Sequence, residues 1–383
     1  MPAFKSRIES ALAERKTQGL NRSMNVVFAG NQSVLEHEGR RYINFSSNDY
    51  LGLANDQALV RAWQQGLSVY GSGSGASPMV TGFSAAHSNL EAALTEWLGY
   101  DRAILFGSGF SANQALLFTL LEKSDVLIQD RLNHASLMEA GTLSPAKMKR
   151  FKHNDIEHLK SLINSEDNHL VVTEGVFSMD GDCAPLSDIA EVTRSHDAWL
   201  AVDDAHGIGV LGQSGGGSCE LATVKPEILI VTFGKAFGMS GAAILCDHAT
   251  GDFLTQFARH HVYSTAMPPA QAYALTHAVS IVQEQSWRRE KLSELSEVYR
   301  DCLSDLEGFV ETQTSIKPFV IGESELALQV ASACRQNGIW VTAIRPPTVP
   351  KGTSRLRITL TANHTNEQVK TLSMALKQAL GAL

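Results

Sequence analysis

Short apolar runs alternate with stretches of helical periodicity through the middle of the chain. Each run is apolar on both faces and too short for a buried helix, so it predicts a buried strand. The strands predicted in this way lie at 103–106, 125–130, 169–174, 199–204 and 227–233, with a further candidate at 242–246. Helical stretches at 111–122 and 185–196 separate several of them. Apolar strands that alternate with helices predict an α/β domain whose mainly parallel sheet is covered on both faces.

The two ends of the chain carry different patterns. Residues 1–20 have the pattern of an amphipathic helix, and residues 31–45 that of a small hairpin with its turn at 38–40. Residues 71–75 are all small and predict a shaped loop, and a helix at 87–98 follows and ends at Gly99. Beyond residue 270 the patterns predict a long helical region and a smaller α+β unit, with helices at 270–305, 323–337 and 365–381 and strands at 317–322, 339–344 and 355–360.

Length and composition limit the function classes. At 383 residues the chain is too long for one ordinary core, and we expect an N-terminal segment at 1–45, a large domain at 46–285 and a small domain at 286–383. A net charge of −8 without a basic cluster argues against nucleic-acid binding. The opening residues lack the apolar core of a signal peptide, and no run of about 18 apolar residues predicts a membrane span. Five cysteines without a CxxC pair indicate a reducing cytoplasm and argue against disulfides or a metal site.

Two glycine motifs near residue 210 keep other functions open. Gly207, Gly209 and Gly212 spell GxGxxG after a predicted strand, the fingerprint of a dinucleotide-dependent oxidoreductase. That fingerprint needs a helix at its second or third glycine, whereas the residues that follow here are poor helix formers. Gly212, Ser214 and Gly216 spell GxSxG, the nucleophile-elbow pattern, although no strand immediately precedes it. A non-catalytic scaffold is a further alternative.

Polar features at the predicted strand ends fit one cofactor. The loop before the helix at 111–122 is rich in glycine, and we expect Ser111 to be the helix N-cap. Exposed N–H groups of residues 108–110 at this helix N-terminus form a site for a phosphate. Asp203 and His206 lie at the carboxyl end of the buried strand predicted at 199–204. A buried aspartate is costly unless a cation pairs with it, and the protonated pyridine nitrogen of pyridoxal phosphate is such a cation.

Lys235 lies between Gly234 and Gly238, directly after another buried strand. A lysine that bonds covalently to an aldehyde must spend time as a neutral amine, which desolvation and nearby positive charge favour. Thr232 offers a hydroxyl to a phosphate, and the flat ring of His134 can stack on a planar cofactor. These residues predict a pyridoxal phosphate site with Lys235 as the covalent anchor.

The segments that carry these residues resemble the α-oxoamine synthase family of pyridoxal phosphate enzymes. The matching segments are NHAS at 133–136, TEGVFSMDGD at 173–182, Asp-x-x-His at 203–206, TFGKAFG at 232–238 and GTSRLR at 352–357. The resemblance covers essentially the whole chain, from FSSNDYLGL at 45–53 to RITLTANH at 357–364. It implies a fold-type I enzyme with a mainly parallel seven-stranded sheet in its large domain, a smaller α+β C-terminal domain, and a homodimer with shared active sites.

The resemblance also implies a role for each matched residue. Lys235 would be the Schiff-base lysine and Asp203 the partner of the pyridine nitrogen, while His134 would stack on the ring and contact substrate. His206 and Ser178 would bond around the phenolic oxygen. The other assignments are Gly109, Phe110 and Thr232 to the cofactor cradle, Ser264 and Thr265 to the phosphate of the partner subunit, and Arg22, Asn48, Thr353 and Arg355 to substrate.

Members of this family join an amino acid to an acyl thioester and release CO₂. The segments at 342–361 and 44–54 most resemble the branch that serves biotin synthesis. That likeness implies L-alanine as the amino acid and a pimeloyl group on CoA or a carrier protein as the acyl donor. Sister enzymes that use glycine or serine with other acyl-CoA donors share most of these motifs and remain the alternative.

Overall fold

The computed structural model describes residues 3–164 and 167–381. Its helices are α1 (Ala3–Thr17), α2 (Gln57–Tyr70), α3 (Ala85–Leu98), α4 (Gly109–Leu120), α5 (Ala135–Leu143), α6 (Ile156–Leu162), α7 (Leu186–Ser195), α8 (Gly217–Leu221), α9 (His248–Phe257), α10 (Arg259–Val262), α11 (Pro269–Glu284), α12 (Trp287–Leu303), α13 (Ser324–Gln336) and α14 (Asn366–Gly381), with a π-helical turn at Pro78–Gly82. Its strands are β1 (Val34–His37), β2 (Arg40–Asn44), β3 (Arg102–Phe106), β4 (Val126–Asp130), β5 (Lys147–Phe151), β6 (His169–Glu174), β7 (Trp199–Asp203), β8 (Ile228–Thr232), β9 (Ala242–Cys246), β10 (Ile316–Gly322), β11 (Ile339–Trp340), β12 (Thr342–Ile344) and β13 (Ser354–Thr359).

A seven-stranded sheet forms the centre of the large part, in the order β3-β9-β8-β7-β6-β4-β5. The strands from β8 through to β5 run parallel to their neighbours, and β9 alone is antiparallel to β8 and β3. The fold class predicted from the alternation of strands and helices is therefore confirmed, and all six predicted strands are present.

Both faces of this sheet are buried, as the apolar runs predict. On β8, Ile228 and Ile230 face one core, whereas Leu229 and Val231 face the other, because successive side chains of a strand point to opposite sides. Helices cover both cores. Because the helices lie on the two faces of the sheet, the carboxyl ends of the parallel strands stay accessible to a ligand.

One strand of the sheet escaped the sequence analysis. β5 is an edge strand of sequence KMKRF, paired in parallel with β4 on one side only. An edge strand needs no continuous apolar run, and lysines at an edge discourage pairing with another chain. Its alternating, mostly half-exposed pattern therefore gave no buried-strand signal.

Helix boundaries differ from the prediction most clearly in α4 and in the region 270–305. Ser111 is not an N-cap: α4 begins at Gly109, and Ser108 caps it through a hydrogen bond from the Ser111 N–H of 3.1 Å. Ser111 returns the contact by accepting from the Ser108 N–H, so the two serines form a reciprocal box. The helical region predicted at 270–305 is divided at Gln285 and Ser286 into α11 and α12.

The C-terminal part contains the antiparallel sheet β10-β13-β12 and the helices α12 to α14. Helix α13 packs on the sheet, and α14 packs on α12 and α13. The N-terminal hairpin of β1 and β2 joins this part, because β11 pairs in parallel with β2. Leu35, Tyr42 and Trp340 form a small apolar cluster there. The division of the chain at residues 45 and 285 stays a prediction. Among the described helices, none is long and apolar enough to cross a membrane.

Candidate active site

A cavity of about 260 Å³ opens at the carboxyl ends of β4, β6, β7 and β8. We call it the cofactor cavity, and its lining is Gly107, Ser108, Gly109, Phe110, Asn113, His134, Ser136, Glu174, Asp203, Ala205, His206, Thr232, Gly234, Lys235, Ser240 and Gly241. The fold brings together here seven residues that the sequence analysis selected separately: Gly109, Phe110, His134, Asp203, His206, Thr232 and Lys235.

Asp203 is buried at the end of β7 and is held by two hydrogen bonds. Its Oδ2 accepts from Asn113 Nδ2 at 2.7 Å, and its Oδ1 accepts from the Ala205 N–H at 3.1 Å. Asn113 also donates to the Ser136 hydroxyl at 2.9 Å, and that hydroxyl lies 2.8 Å from His134 Nδ1. The aspartate is therefore fixed in orientation and linked to the histidine predicted to stack on the ring. Sequence reasoning gave neither residue a role: Asn113 lies inside the helix predicted at 111–122, and Ser136 belongs to the matched segment NHAS.

The other end of the cofactor cavity suits a phosphate. The capping bonds of α4 use the N–H groups of Ser108 and Ser111, and among the described residues those of Gly109 and Phe110 stay free for a ligand. A helix N-terminus with free N–H groups is an anion site. A Cβ at Gly109 would lie 2.6 Å from Thr232 Cγ2, so the glycine lets the helix end approach β8 closely.

Lys235 is held in a tight loop between β8 and β9. The Gly238 N–H donates to the Lys235 carbonyl at 2.8 Å, and Gly238 has a φ of 65°. A Cβ at Gly238 would collide with the backbone of Ala54, so the loop fits against the FSSNDYLGL segment only with glycine there. Burial lowers the pKa of the Lys235 amine and Arg357 adds to this, while Asp203 and Glu174 act in the opposite direction. The loop thus holds an amine that loses its proton more readily than an ordinary lysine.

Glu174 is a second buried carboxyl group in the cofactor cavity, at the end of β6. Burial raises the pKa of Glu174 well above its usual value, and the neighbouring Asp203 adds to the effect, whereas Lys235 opposes it. Sequence reasoning included this residue in a matched segment without giving it a role. Its position at the end of an apolar strand, like that of Asp203, was the available signal.

A second cavity of about 260 Å³ adjoins the first, and His134, His206 and Lys235 line both. We call it the substrate cavity, and its other lining residues are Ser46, Asn48, Ser178, Met179, Thr342, Ile344 and Arg357. The predicted residues Asn48 and Ser178 lie here. His206, which is buried, lies 2.7 Å through Nδ1 from the Tyr50 hydroxyl.

Arg357, rather than the predicted Arg355, reaches the substrate cavity. Both arginines lie on β13 two residues apart and therefore on the same face of the strand. Arg355 Nη1 pairs with Asp180 at 2.5 Å, which holds it outside the cavity. Arg357 donates to Asn48 Oδ1 at 2.9 Å and to the Ser178 carbonyl at 2.6 Å. The sequence analysis paired Asn48 with Arg355, whereas the structure places Arg357 beside Asn48. The contact of this pair with substrate stays a prediction.

The remaining predicted residues line neither cavity within this chain. Arg22 lies in the exposed segment between α1 and β1. Thr353 donates its hydroxyl to the Pro350 carbonyl at 2.8 Å. Ser264 and Thr265 are exposed on the segment between α10 and α11. Their assigned roles toward substrate and the partner subunit stay predictions.

The cofactor cavity fits pyridoxal phosphate by the polar atoms that it leaves unpaired. Buried polar atoms normally have hydrogen-bond partners. Three atoms that line this cavity have none among the described residues: Asn113 Oδ1, Glu174 Oε1 and Thr232 Oγ1. With the free N–H groups of α4, they leave room for a polar, phosphorylated ligand between β8 and Asp203. The described residues contain no cluster able to hold a metal ion.

The two competing glycine motifs lack the structure that their functions need. Residues 207–216 form a series of turns, and the first helix after them, α8, begins at Gly217. Ser214 is not raised on a strand-to-helix elbow: its hydroxyl donates to Glu220 at 3.0 Å and accepts from Trp97 at 3.2 Å. Neither a dinucleotide site nor a serine nucleophile is built here.

Known proteins match the chain along nearly its full length. The family model of class I and II aminotransferases matches residues 40–376. An 8-amino-7-oxononanoate synthase of Vibrio campbellii is 92% identical over 383 residues, covering 100% of both chains. A serine palmitoyltransferase from S. paucimobilis, solved with a bound pyridoxal phosphate adduct of myriocin, has a TM-score of 0.92 at 27% identity and covers 99% of this chain and 98% of its own. The crystal structure of 8-amino-7-oxononanoate synthase from Francisella tularensis has a TM-score of 0.79 at 29% identity, covering 89% of this chain and 98% of its own.

Proposed function

The chain belongs to the class I and II aminotransferase family and, within it, to the 8-amino-7-oxononanoate synthases, and from this we propose that it condenses L-alanine with a pimeloyl thioester. It is a pyridoxal phosphate-dependent acyltransferase of biotin biosynthesis. The products are 8-amino-7-oxononanoate, CO₂ and the free thiol. The observation that carries the proposed residue roles is the convergence of Lys235, Asp203 and Arg357 on two adjoining cavities.

Pyridoxal phosphate supplies an electron sink for negative charge that develops on the carbon next to the substrate amine. Asp203 serves this chemistry by keeping a proton on the ring nitrogen, because an anion in a buried position favours the protonated form of a neighbouring base. Asn113 and the Ala205 N–H hold the carboxylate in place for this contact. Thr232 and the first N–H groups of α4 would bind the phosphate.

Lys235 has two roles in the proposed reaction. Its Nζ would hold the cofactor covalently, and the same amine would take the proton from the α-carbon of alanine. Burial lowers the pKa of this amine, which suits a general base working near neutral pH. Because Lys235 lines both cavities, the amine lies where the two ligands meet.

Arg357 and Asn48 bind the carboxylate of alanine. A guanidinium group matches a carboxylate with two parallel hydrogen bonds, and Arg357 is already oriented by its bonds to Asn48 and the Ser178 carbonyl. This contact positions the α-carbon toward Lys235 and fixes which bond of the substrate is broken first.

We also propose a homodimer in which Ser264 and Thr265 reach the phosphate of the partner subunit. Both residues are exposed, and Tyr263 beside them exposes 79% of its surface. The adjoining helix α10 packs against the turn at Pro78–Gly82, where Val80 is 73% exposed. Exposed apolar side chains grouped in this way are typical of an interface. At limiting cofactor, a mixture of Lys235→Ala chains with Thr265→Val chains should have more activity than the two variants have when assayed separately.

A cytoplasmic location agrees with the cysteines of the chain. All five are free thiols, two at half-buried positions. Free thiols persist in reducing compartments.

The decisive test supplies alanine, glycine and serine in turn with pimeloyl-CoA, a pimeloyl carrier protein and short acyl-CoA donors, and follows thiol release. Turnover with L-alanine and a pimeloyl donor is the expected result. A preference for glycine or serine with another acyl-CoA would favour a sister enzyme instead. The absorption spectrum of the purified protein provides the control, because an oxidoreductase or a scaffold would lack the yellow colour of a lysine-bound cofactor.

A further inference from the structure

Tyr50 lines neither cavity, but its hydroxyl contacts residues that do. Its side chain is 1% exposed, and its hydroxyl lies 2.7 Å from His206 Nδ1, 3.3 Å from Asn48 Oδ1 and 3.5 Å from Arg357 Nη2. This buried hydroxyl therefore connects His206 to Asn48 and Arg357, the two residues proposed to bind the substrate carboxylate. None of the roles assigned above involves it.

The position of the tyrosine proton follows from these neighbours. Arg357 can only donate, so the Tyr50 oxygen is the acceptor of that contact. The single hydroxyl proton then goes either to Asn48 Oδ1 or to His206 Nδ1. The contact to His206, at 2.7 Å, is shorter than the contact to Asn48, at 3.3 Å. In addition, Asn48 Oδ1 already accepts from Arg357 at 2.9 Å. The proton therefore lies toward Nδ1.

His206 must then be a neutral ring with its own proton on Nε2. Burial lowers the pKa of His206 well below its usual value, and the facing charges of Lys235, Arg357 and His134 act in the same direction. Nε2 makes no hydrogen bond within the described residues, and the ring lines both cavities. A neutral histidine whose Nδ1 accepts from a hydroxyl presents an N–H donor at Nε2.

We infer that Tyr50 is a positioning residue of the reaction: its hydroxyl fixes His206 as an Nε2–H donor toward the cofactor's phenolic oxygen and links that donor to the arginine that binds the substrate carboxylate. The inference rests on the proposed function for the roles of His206 and Arg357. A donor at Nε2 stabilises the negatively charged form of the phenolic oxygen, and the substrate carboxylate at Arg357 acts on the same hydrogen-bonded chain.

The test replaces Tyr50 by phenylalanine, which keeps the ring and removes the hydroxyl. In the holoenzyme without substrate, the pH midpoint of the cofactor absorption band should rise by about one pH unit, because the phenolic oxygen loses its fixed donor. With substrates, kcat should fall about tenfold, while KM for L-alanine changes less than about threefold, since Arg357 keeps its bonds to Asn48 and the Ser178 carbonyl.

Tyr299→Phe is the matched control. Tyr299 is equally buried at 1% exposure, and its hydroxyl has no hydrogen-bond partner among the described residues. Tyr299 lies on α12 and lines neither cavity. The pH midpoint of the cofactor band and the kcat of the Tyr299→Phe enzyme should therefore equal those of the wild type. A Tyr50→Phe enzyme that behaves like Tyr299→Phe would overturn the inference.

A measurement on the wild type keeps the inference testable if Tyr50→Phe does not fold. Nitrogen chemical shifts of the labelled His206 ring in the holoenzyme should show a proton on Nε2 and an acceptor at Nδ1. The opposite tautomer overturns the inference. Wild-type turnover separates the two proposals: absence of turnover with L-alanine and a pimeloyl donor overturns the proposed function, while the midpoint and the tautomer still decide on Tyr50.

Discussion

Glu174 and Asp203 lie directly opposite each other in parallel register at the carboxyl ends of β6 and β7. Both are buried, but they are held differently: Asp203 accepts two hydrogen bonds, whereas Glu174 Oε1 has no partner among the described residues. Burial and the neighbouring Asp203 raise the pKa of Glu174, which favours its protonated form. Asp203, whose two oxygens both accept hydrogen bonds, is therefore the carboxyl group of the pair that we assign to the ring nitrogen.

Asp203→Asn should bind pyridoxal phosphate but lose turnover about 100-fold or more, because a neutral amide cannot hold the ring nitrogen protonated. Glu174→Gln is the matched control, since it makes the same exchange of carboxyl for amide at the paired position. Because Glu174 already tends to be neutral, its variant should lose at least tenfold less turnover. Cofactor absorbance and product formation measure the two properties. Equal losses in both variants would contradict a specific role of Asp203 at the ring nitrogen.

Thr232→Val should weaken cofactor binding without weakening the fold. The Thr232 hydroxyl is buried and unpaired among the described residues, so in the cofactor-free protein its removal leaves no bond broken. With cofactor bound, the loss of one hydrogen bond to the phosphate should raise Kd about tenfold. Thr359→Val removes another buried, unpaired hydroxyl, on β13 and outside both cavities. Fluorescence titration with pyridoxal phosphate should distinguish the two variants, and thermal unfolding of the cofactor-free forms should not.

Borohydride reduction of the holoenzyme should fix the pyridoxyl mass on the peptide that contains Lys235. Lys317 is an internal control, because burial also lowers its pKa, to about 8. Within residues 3–164 and 167–381, its Nζ donates only to the Thr312 carbonyl, at 2.8 Å. If labelling required only a readily deprotonated amine, Lys317 would be labelled too. We expect the label on Lys235 because that lysine lines the cofactor cavity. Peptide mass spectrometry that locates the label on Lys317, or on neither lysine, would exclude Lys235 as the anchor.

His153 should make the stability of the protein depend on pH in the alkaline range. Burial alone would lower the pKa of His153, but hydrogen bonds to Asp130 and Asp182, at 3.0 and 2.8 Å, raise it to about 10. Since the folded-state pKa lies above the unfolded value, this contribution is complete below about pH 6.5 and is lost as the pH rises toward 10. The link ties the end of β4 to the segment that carries Ser178.

We expect His153→Gln to lower the free energy of unfolding by about 2 kcal/mol at pH 6 and by much less at pH 10. Chemical unfolding of both proteins across this pH range measures the difference between their free energies of unfolding. Other groups that titrate there, such as Lys317, affect both proteins equally and cancel in this difference. A difference between wild type and variant that stays constant with pH would show that the ion pair is not the cause.

The sequence was most informative where one side chain or one face determines the outcome. The strands that are apolar on both faces were predicted because burial alone sets their pattern, whereas β5 has a solvent edge and needs no such pattern. Asp203 was identifiable as the polar end of such a strand, and Lys235 because it lies in the loop three residues after one.

Residues that act through a partner distant in sequence could not be predicted from the chain. Asn113 belongs to the site only because the fold brings it within 2.7 Å of Asp203, 90 positions away. Tyr50 reaches His206 across 156 positions. Either residue reads as ordinary core or turn until the strand order of the sheet is known, because only the fold sets such long-range contacts.

Arg355 and Arg357 provide the sharpest test of what the structure adds. Two arginines two residues apart on one strand share a face, so the sequence does not distinguish them. In the structure, Arg355 forms an ion pair with Asp180, whereas Arg357 lines the substrate cavity. Arg357→Lys should raise KM for L-alanine about tenfold, because an ammonium group cannot form two parallel bonds to a carboxylate. Arg355→Lys still pairs with the partly exposed Asp180, so its KM should change less than about threefold and its stability by less than about 1 kcal/mol. Steady-state kinetics with L-alanine varied decide between them. The reverse order of KM values would return the carboxylate to Arg355 and require the ion pair with Asp180 to open when substrate binds.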